Sequence, residues 1–343
     1  MTRTRFGWIA VAVGLAVAVV SIGAQTRTTL DVYFVDVEGG QATLIVSPSG
    51  ASMLVDAGWS GVNGRDADRI AAAAKQAGIS RIDYVVVTHY HRDHVGGVPE
   101  LAAKIPVGTF VDHGPNVEQG EQPAALYNAY LAARDKGRHL LVKPGDTIPV
   151  AGLDVRVVSA NGEVATTALP GAGAANPLCA GFKPRDDDPT ENARSVGMMI
   201  TFGRFRFMDI GDLTWNKEHR LACPNNLLGA VDVYLVTHHG TDSSGPPALV
   251  HAIRPRVAVM NNGAKKGGTA PAWQIVHDSP GLLDFWQLHR AVDAGADHNV
   301  PESFIANLDE TTAFGIKLSA ERDGSFTVVN ARTGQSKRYG PRP

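Results

Sequence analysis

The sequence predicts an α/β protein of mixed sheets and helices, and three observations predict it. Short runs rich in Val, Ile and Leu alternate with alanine-rich segments whose apolar residues fall at helical spacing. Two of those runs, 82–87 and 231–236, each break into Thr-His, as though two similar halves offered a histidine from equivalent strand ends. No tandem repeat or coiled-coil heptad competes with that reading. With 44% hydrophobic residues among 343, the chain can bury a large core. Its formal net charge of −2 supplies no basic footprint, so tight binding of duplex DNA is not expected.

Taken in order, the chain opens on Arg3 and Arg5, an apolar run over 6–22, and Gly23-Ala24-Gln25. These are the three zones of a secretory signal, so residues 1–24 are expected to be a signal peptide, with an uncleaved N-terminal anchor as the alternative. The protein is then exported, periplasmic or secreted, with no other membrane-spanning segment. Residues 30–335 form the expected globular domain. Strands are predicted at 30–37, 41–46 and 53–55, the last running into Asp56-Ala57-Gly58. The stretch 65–78 has helical spacing and a natural stop at Gly78. A strand at 82–87, helices at 98–104 and 123–136, and strands at 107–111, 140–142, 148–150 and 153–158 follow. Residues 161–194 lack periodicity and are rich in Ala, Gly and Pro, which marks an insertion beside the active-site face. Beyond it come strands at 196–202, 205–210, 231–236 and 257–260, helices at 215–221, 248–253 and 282–292, and a closing hairpin over 311–330. Cys179 and Cys223 are an even pair in an exported chain, which favours a disulfide, although sequence cannot supply their separation.

Chemistry concentrates directly after the strand at 82–87. His89, His91, Asp93 and His94 place four metal-capable side chains within six residues, and Gly96-Gly97 relieves crowding behind them. Imidazole and carboxylate together suit zinc or a similar divalent ion.

This His-x-His-x-Asp-His pattern resembles the metallo-β-lactamase superfamily. The resemblance implies an αβ/βα sandwich of two mixed sheets flanked by helices, with ligand loops along one edge and one or two metal ions. It places a bridging carboxylate at Asp212, after the strand at 205–210, and a late histidine at His238, with His239 as the rival. His89 and His91 would hold the first ion, Asp93, His94 and His238 the second, and Asp212 both. Two Zn2+ ions are implied, with Mn2+ as the alternative; such an ion lowers the pKa of bound water to about 7. Asp93 would orient or deprotonate that water. Asp56 matches a position that braces the metal loops by hydrogen bonds.

The family's usual third histidine on the first ion, commonly in a Gly-His pair, has no counterpart; Asn192 and Ser195 occupy the place in Glu191-Asn192-Ala193-Arg194-Ser195. That departure, with Phe34-Val35-Asp36-Val37-Glu38-Gly39-Gly40-Gln41, is similar to the hydrolase domain of ComEC-type competence proteins. His113 is a candidate for the missing ligand. Lys265, beside Lys266 in a Gly-rich loop, is a candidate partner for a substrate phosphate or carboxylate. The resemblance implies an exported metal-dependent hydrolase of a small-molecule or phosphodiester substrate. Hydrolysis of a β-lactam or lactone is the alternative chemistry, and a catalytically silent binding module the alternative of another class.

Overall fold

Runs buried on both faces must sit between other layers, and the central strands of both sheets are arranged that way. The computed structural model describes residues 1–2 and 27–343. The expected signal peptide falls on 3–26 and so lies outside the described residues. One nine-stranded sheet runs, edge to edge, through Ser336–Tyr339, Phe326–Asn330, Ile316–Ala320, Leu30–Phe34, Thr43–Val46, Ser52–Val55, Ile82–Val86, Val107–Asp112 and Arg138–Leu141. It is antiparallel as far as Ser52–Val55 and parallel from there onward.

The second sheet runs through Ile305–Asn307, Asp284–His289, Val257–Met260, Val233–Leu235, Phe205–Asp209, Gly197–Phe202, Asp154–Ala160 and Thr147–Ile148, with Glu163–Val164 paired beside Asp154–Ala160. Its first five strands are parallel and the rest antiparallel. Consecutive strand residues alternate between the layers this creates. Val86, Leu235 and Trp286 enter the core between the sheets, whereas Val85, Tyr234 and Phe285 face outward. Helices Arg65–Gln76, Val98–Ala102 and Glu121–Arg134 cover the first sheet through Ile70, Leu101 and Tyr130. Trp215–Ala222, Pro247–Ile253 and Ala270–His277 cover the second through Leu221, Leu249 and Trp273. The result is an αβ/βα sandwich. No helix among the described residues is long and apolar enough to cross a membrane.

Three elements depart from the sequence reading. Residues 282–292, expected as a helix, hold the strand Asp284–His289 instead. Phe285 packs against one layer and Trp286 against the other, so both faces are apolar and the run shows no alternation. The helix Ala270–His277, absent from the sequence reading, follows the Gly-rich loop of Lys265 and Lys266, and a further strand, Ser336–Tyr339, extends the first sheet past residue 335.

The insertion 161–194 is largely irregular, with short turns of helix at Pro177–Gly181 and Glu191–Arg194. It leaves the sheet after Asp154–Ala160 and returns at Gly197–Phe202, two strands that are antiparallel neighbours. Its ends meet where the Asn161 amide donates to the Arg194 carbonyl at 2.9 Å. A disulfide between Cys179 and Cys223, with Cα atoms 5.7 Å apart, ties it to the end of helix Trp215–Ala222. The Phe182 ring stacks on His219 at 3.6 Å, and the Arg185 guanidinium lies 3.8 Å from the centre of the Trp215 ring.

Candidate metal centre

Parallel strands of both sheets end at one edge, and the residues just past those ends converge. Ser52–Val55 delivers Asp56, Ile82–Val86 delivers His89 to His94, Phe205–Asp209 delivers Asp212, and Val233–Leu235 delivers His238 and His239. Close approach of the loops requires glycine at Gly211, which has φ +55° and where a Cβ would lie 2.9 Å from that of Thr88.

Asp212 Oδ2 is the meeting point. It lies 3.2 Å from His94 Nε2, 3.4 Å from both His238 Nε2 and His239 Nε2, and 3.9 Å from His89 Nε2. Asp93 Oδ2 lies 3.3 Å from His94 Nε2 and 3.3 Å from His239 Nε2. Asp93, His94, Asp212 and His239 therefore form a buried set whose ligand atoms all fall within 4.8 Å of one another. The expected partition put His238 with Asp93 and His94; the side chain that approaches both of those residues is His239. Sequence favoured the residue nearer the strand end, but the backbone at His238 and His239 is left-handed, with φ of 55° and 56°. A left-handed pair turns both rings toward the carboxylate, where an extended backbone would send them to opposite sides.

The donor set fits a divalent cation. His94 Nε2 and His239 Nε2 face each other at 3.1 Å, as do His89 Nε2 and His91 Nδ1, so imidazole nitrogens point into shared space. Asp212 Oδ1 is buried with no hydrogen-bond partner among the described residues. Burial would raise the carboxyl pKa of Asp212, yet His238, His94 and His239 hold it well below the usual range. Burial lowers the pKa of His94, but Asp212, Asp93 and Asp56 outweigh it and hold the imidazole well above its ordinary value. His89 is held well below the ordinary imidazole value by burial and by His94.

Carboxylates fix two of these rings from behind. His94 Nδ1 donates to Asp56 Oδ2 at 2.7 Å, and Asp56 also accepts from the Thr88 amide at 2.8 Å and the Thr88 hydroxyl at 2.6 Å. Asp56 thus sets both the ring and the strand end that carries the cluster. Asp56→Asn is expected to weaken binding of the ion at His94 by about 10- to 100-fold, as outer partners of metal-bound histidines do. Zinc titration against a competing chelator reads this, and unchanged affinity would remove Asp56 from the site.

The second carboxylate, Glu118, was not found by sequence reasoning. It meets His91 Nε2 at 2.8 Å and leaves Nδ1 turned toward His89. Lying in an irregular loop among polar residues, Glu118 carries no motif or periodicity that would have revealed it.

Two candidates from sequence lie elsewhere. His113 Nε2 pairs at 2.9 Å with Glu191, which also accepts from the Tyr90 and Val117 amides, so His113 braces the loops and does not join His89 and His91. Lys265 is exposed and faces Glu310. Its neighbour Lys266 reaches the centre instead, donating to Asp93 Oδ2 and, at 2.7 Å, to the Gly39 carbonyl. Asn192 contributes a buried Oδ1 with no hydrogen-bond partner among the described residues. Ser195 Oγ accepts from the Asp212 amide at 3.2 Å and sits 3.5 Å from His89 Nδ1.

Residues 35–176 match the family model of the metallo-β-lactamase superfamily. A hydroxyacylglutathione hydrolase of Rhodopseudomonas palustris is 34% identical over 120 residues, covering 35% of this chain and 38% of the relative. Its counterpart from Stenotrophomonas maltophilia is 31% identical over 112 residues, covering 30% and 37% respectively. The chain thus spans less than two fifths of the length of these relatives. Among solved structures, the metallo-β-lactamase fold protein YhfI from Bacillus subtilis aligns at TM-score 0.45 and 11% identity, over 75% of this chain and 95% of that one. The diiron β-hydroxylase CmlA from Streptomyces venezuelae aligns at TM-score 0.43 and 16% identity, over 75% and 48%.

Proposed function

We propose that this chain, which carries a metallo-β-lactamase superfamily domain, is an exported metal-dependent hydrolase of an anionic ester, with a phosphodiester as the favoured substrate. The observation that carries the reading is the convergence of four imidazoles on one oxygen of Asp212. Asp93, His94, Asp212 and His239 would hold one divalent ion, and His89 and His91 would begin a second set. When bound, such an ion supplies a nucleophile near neutral pH by lowering the pKa of its water to about 7.

The chain's own groups do the rest. Asp93 is buried, yet His94, His239 and Lys266 keep its carboxyl well below the usual range, so it stays an ionised acceptor that can orient water. Lys266 is about one third exposed and lies 5.2 Å from the centre of the Trp59 ring. It can turn its ammonium to an anionic oxygen of the substrate. Lys266→Met is therefore expected to raise KM about 10-fold more for a charged diester than for a neutral ester, whose change reads only the lost contact with Asp93. Equal losses on both esters would take Lys266 out of substrate binding.

Phosphodiester is preferred because Asn192 and Ser195 follow the ComEC-type pattern where classical β-lactam and lactone hydrolases use a histidine. Thioester hydrolysis is the second reading, supported by the identity to hydroxyacylglutathione hydrolases. Export is supported by the Cys179–Cys223 disulfide, which suits an oxidising compartment.

A panel of bis-nitrophenyl phosphate, single-stranded DNA, a hydroxyacylglutathione thioester, a lactone and a β-lactam, run with zinc or manganese and with chelator, tests the function. Chelator-sensitive turnover of the diesters is expected. Turnover confined to the thioester would replace the first reading with the second. A metal-loaded protein inert on every substrate would favour a binding module.

A further inference from the structure

The two consecutive histidines do not make equivalent contacts. His94 and His239 each approach both carboxylates, Asp212 Oδ2 and Asp93 Oδ2. His238 and His89 come within 4 Å of Asp212 Oδ2 alone and make no such contact with Asp93. The carboxylate contacts therefore sort the imidazoles into one pair that shares Asp93 and another that does not. His91, facing His89 at 3.1 Å, belongs with the second pair.

The His238 ring is also held in a ligand's orientation. Its Nδ1 is fixed by Ser243 Oγ at 2.9 Å and Ser244 Oγ at 3.3 Å, which leaves Nε2 as the nitrogen presented to Asp212. A histidine serving only to brace the turn would need no second nitrogen there, nor a left-handed backbone, which disfavours residues other than glycine.

We propose that His238 supplies the third imidazole of the first ion, beside His89 and His91, so that neighbouring residues of one turn serve different ions across Asp212. The place that Asn192 leaves without a histidine, ahead of Gly197–Phe202, is thereby served from another strand end of the same sheet. This rests on the proposed metal-dependent reading of the site.

The test is metal stoichiometry and affinity in the full chain, by equilibrium dialysis with zinc and elemental analysis, with cobalt absorption spectra as a second readout. Wild type is expected to bind two ions. His238→Asn keeps an amide nitrogen near the serines but removes Nε2; it is expected to retain one ion at unchanged affinity and to weaken the other at least about 100-fold. His238→Gln, which can place an oxygen near the lost Nε2, is expected to recover part of that affinity. His239→Asn is expected to weaken the other ion instead, giving a different residual cobalt spectrum. Circular dichroism of each variant separates ligand loss from unfolding. His238→Asn that binds two ions at wild-type affinity overturns the proposal, as does a wild type that binds fewer than two. Two ions bound with the expected losses but no ester turned over would sink the hydrolase reading and leave this assignment standing.

Discussion

Asp212→Asn is expected to lower chelator-sensitive turnover by about 1000-fold or more, with metal content falling in parallel. The substitution keeps the side chain's shape but removes the charge on which four imidazoles converge. The control lies three residues earlier. Asp209 is also buried, and burial pushes its carboxyl up to about 7 despite hydrogen bonds from the Gly211 amide and Gln41 Nε2. No histidine of the cluster is hydrogen-bonded to Asp209, whose two oxygens accept from Gln41 and the Gly211 amide, so Asp209→Asn is expected to leave turnover within about 10-fold of wild type. Measuring kcat/KM and bound metal for both variants separates loss of the centre from disturbance of a buried acid. Asp212→Asn with near-normal turnover would sink the assigned site.

Replacing Cys179 and Cys223 together by alanine is expected to cost about 3–4 kcal/mol of stability. The bridge spans a sequence separation of 44, and closing a loop of that size in the unfolded chain gives about 4 kcal/mol in the chain-entropy account. Denaturant titration at fixed metal concentration reads the loss as a lower midpoint. Metal stoichiometry is expected to stay at the wild-type value, because the hydrogen bonds of the bridge go to Asn176 and the Ala222 carbonyl and not to the cluster. A loss below about 1 kcal/mol would mean that the stacking of Phe182 on His219 and of Arg185 on Trp215 already holds the insertion in place.

What the sequence made legible is what local rules control. The helix Arg65–Gln76 carries helical spacing and stops before Gly78, which has φ +66°. The strand Ile82–Val86 ends where apolar residues give way to the histidine cluster. What stayed hidden depends on distant parts of the chain. Asp284–His289 is a strand because parallel pairing with Val257–Met260 buries both its faces, a fact its own residues do not carry. Choosing between His238 and His239 needed two backbone angles that favour glycine or asparagine more than histidine. Glu118 reaches His91 from a separate loop, and Cys179 meets Cys223 only because the insertion folds back over the helix Trp215–Ala222.

The closed base of the insertion has a consequence for engineering. Because Asn161 and Arg194 are hydrogen-bonded to each other at the ends of two neighbouring strands, the segment between them is a cassette on a fixed two-point mount. A short turn, or an equivalent segment grafted from another hydrolase, can bridge the same mount without reopening the sheet. Such an exchange has to keep Glu191, whose carboxylate holds the Tyr90 and Val117 amides and His113 beside the histidine cluster.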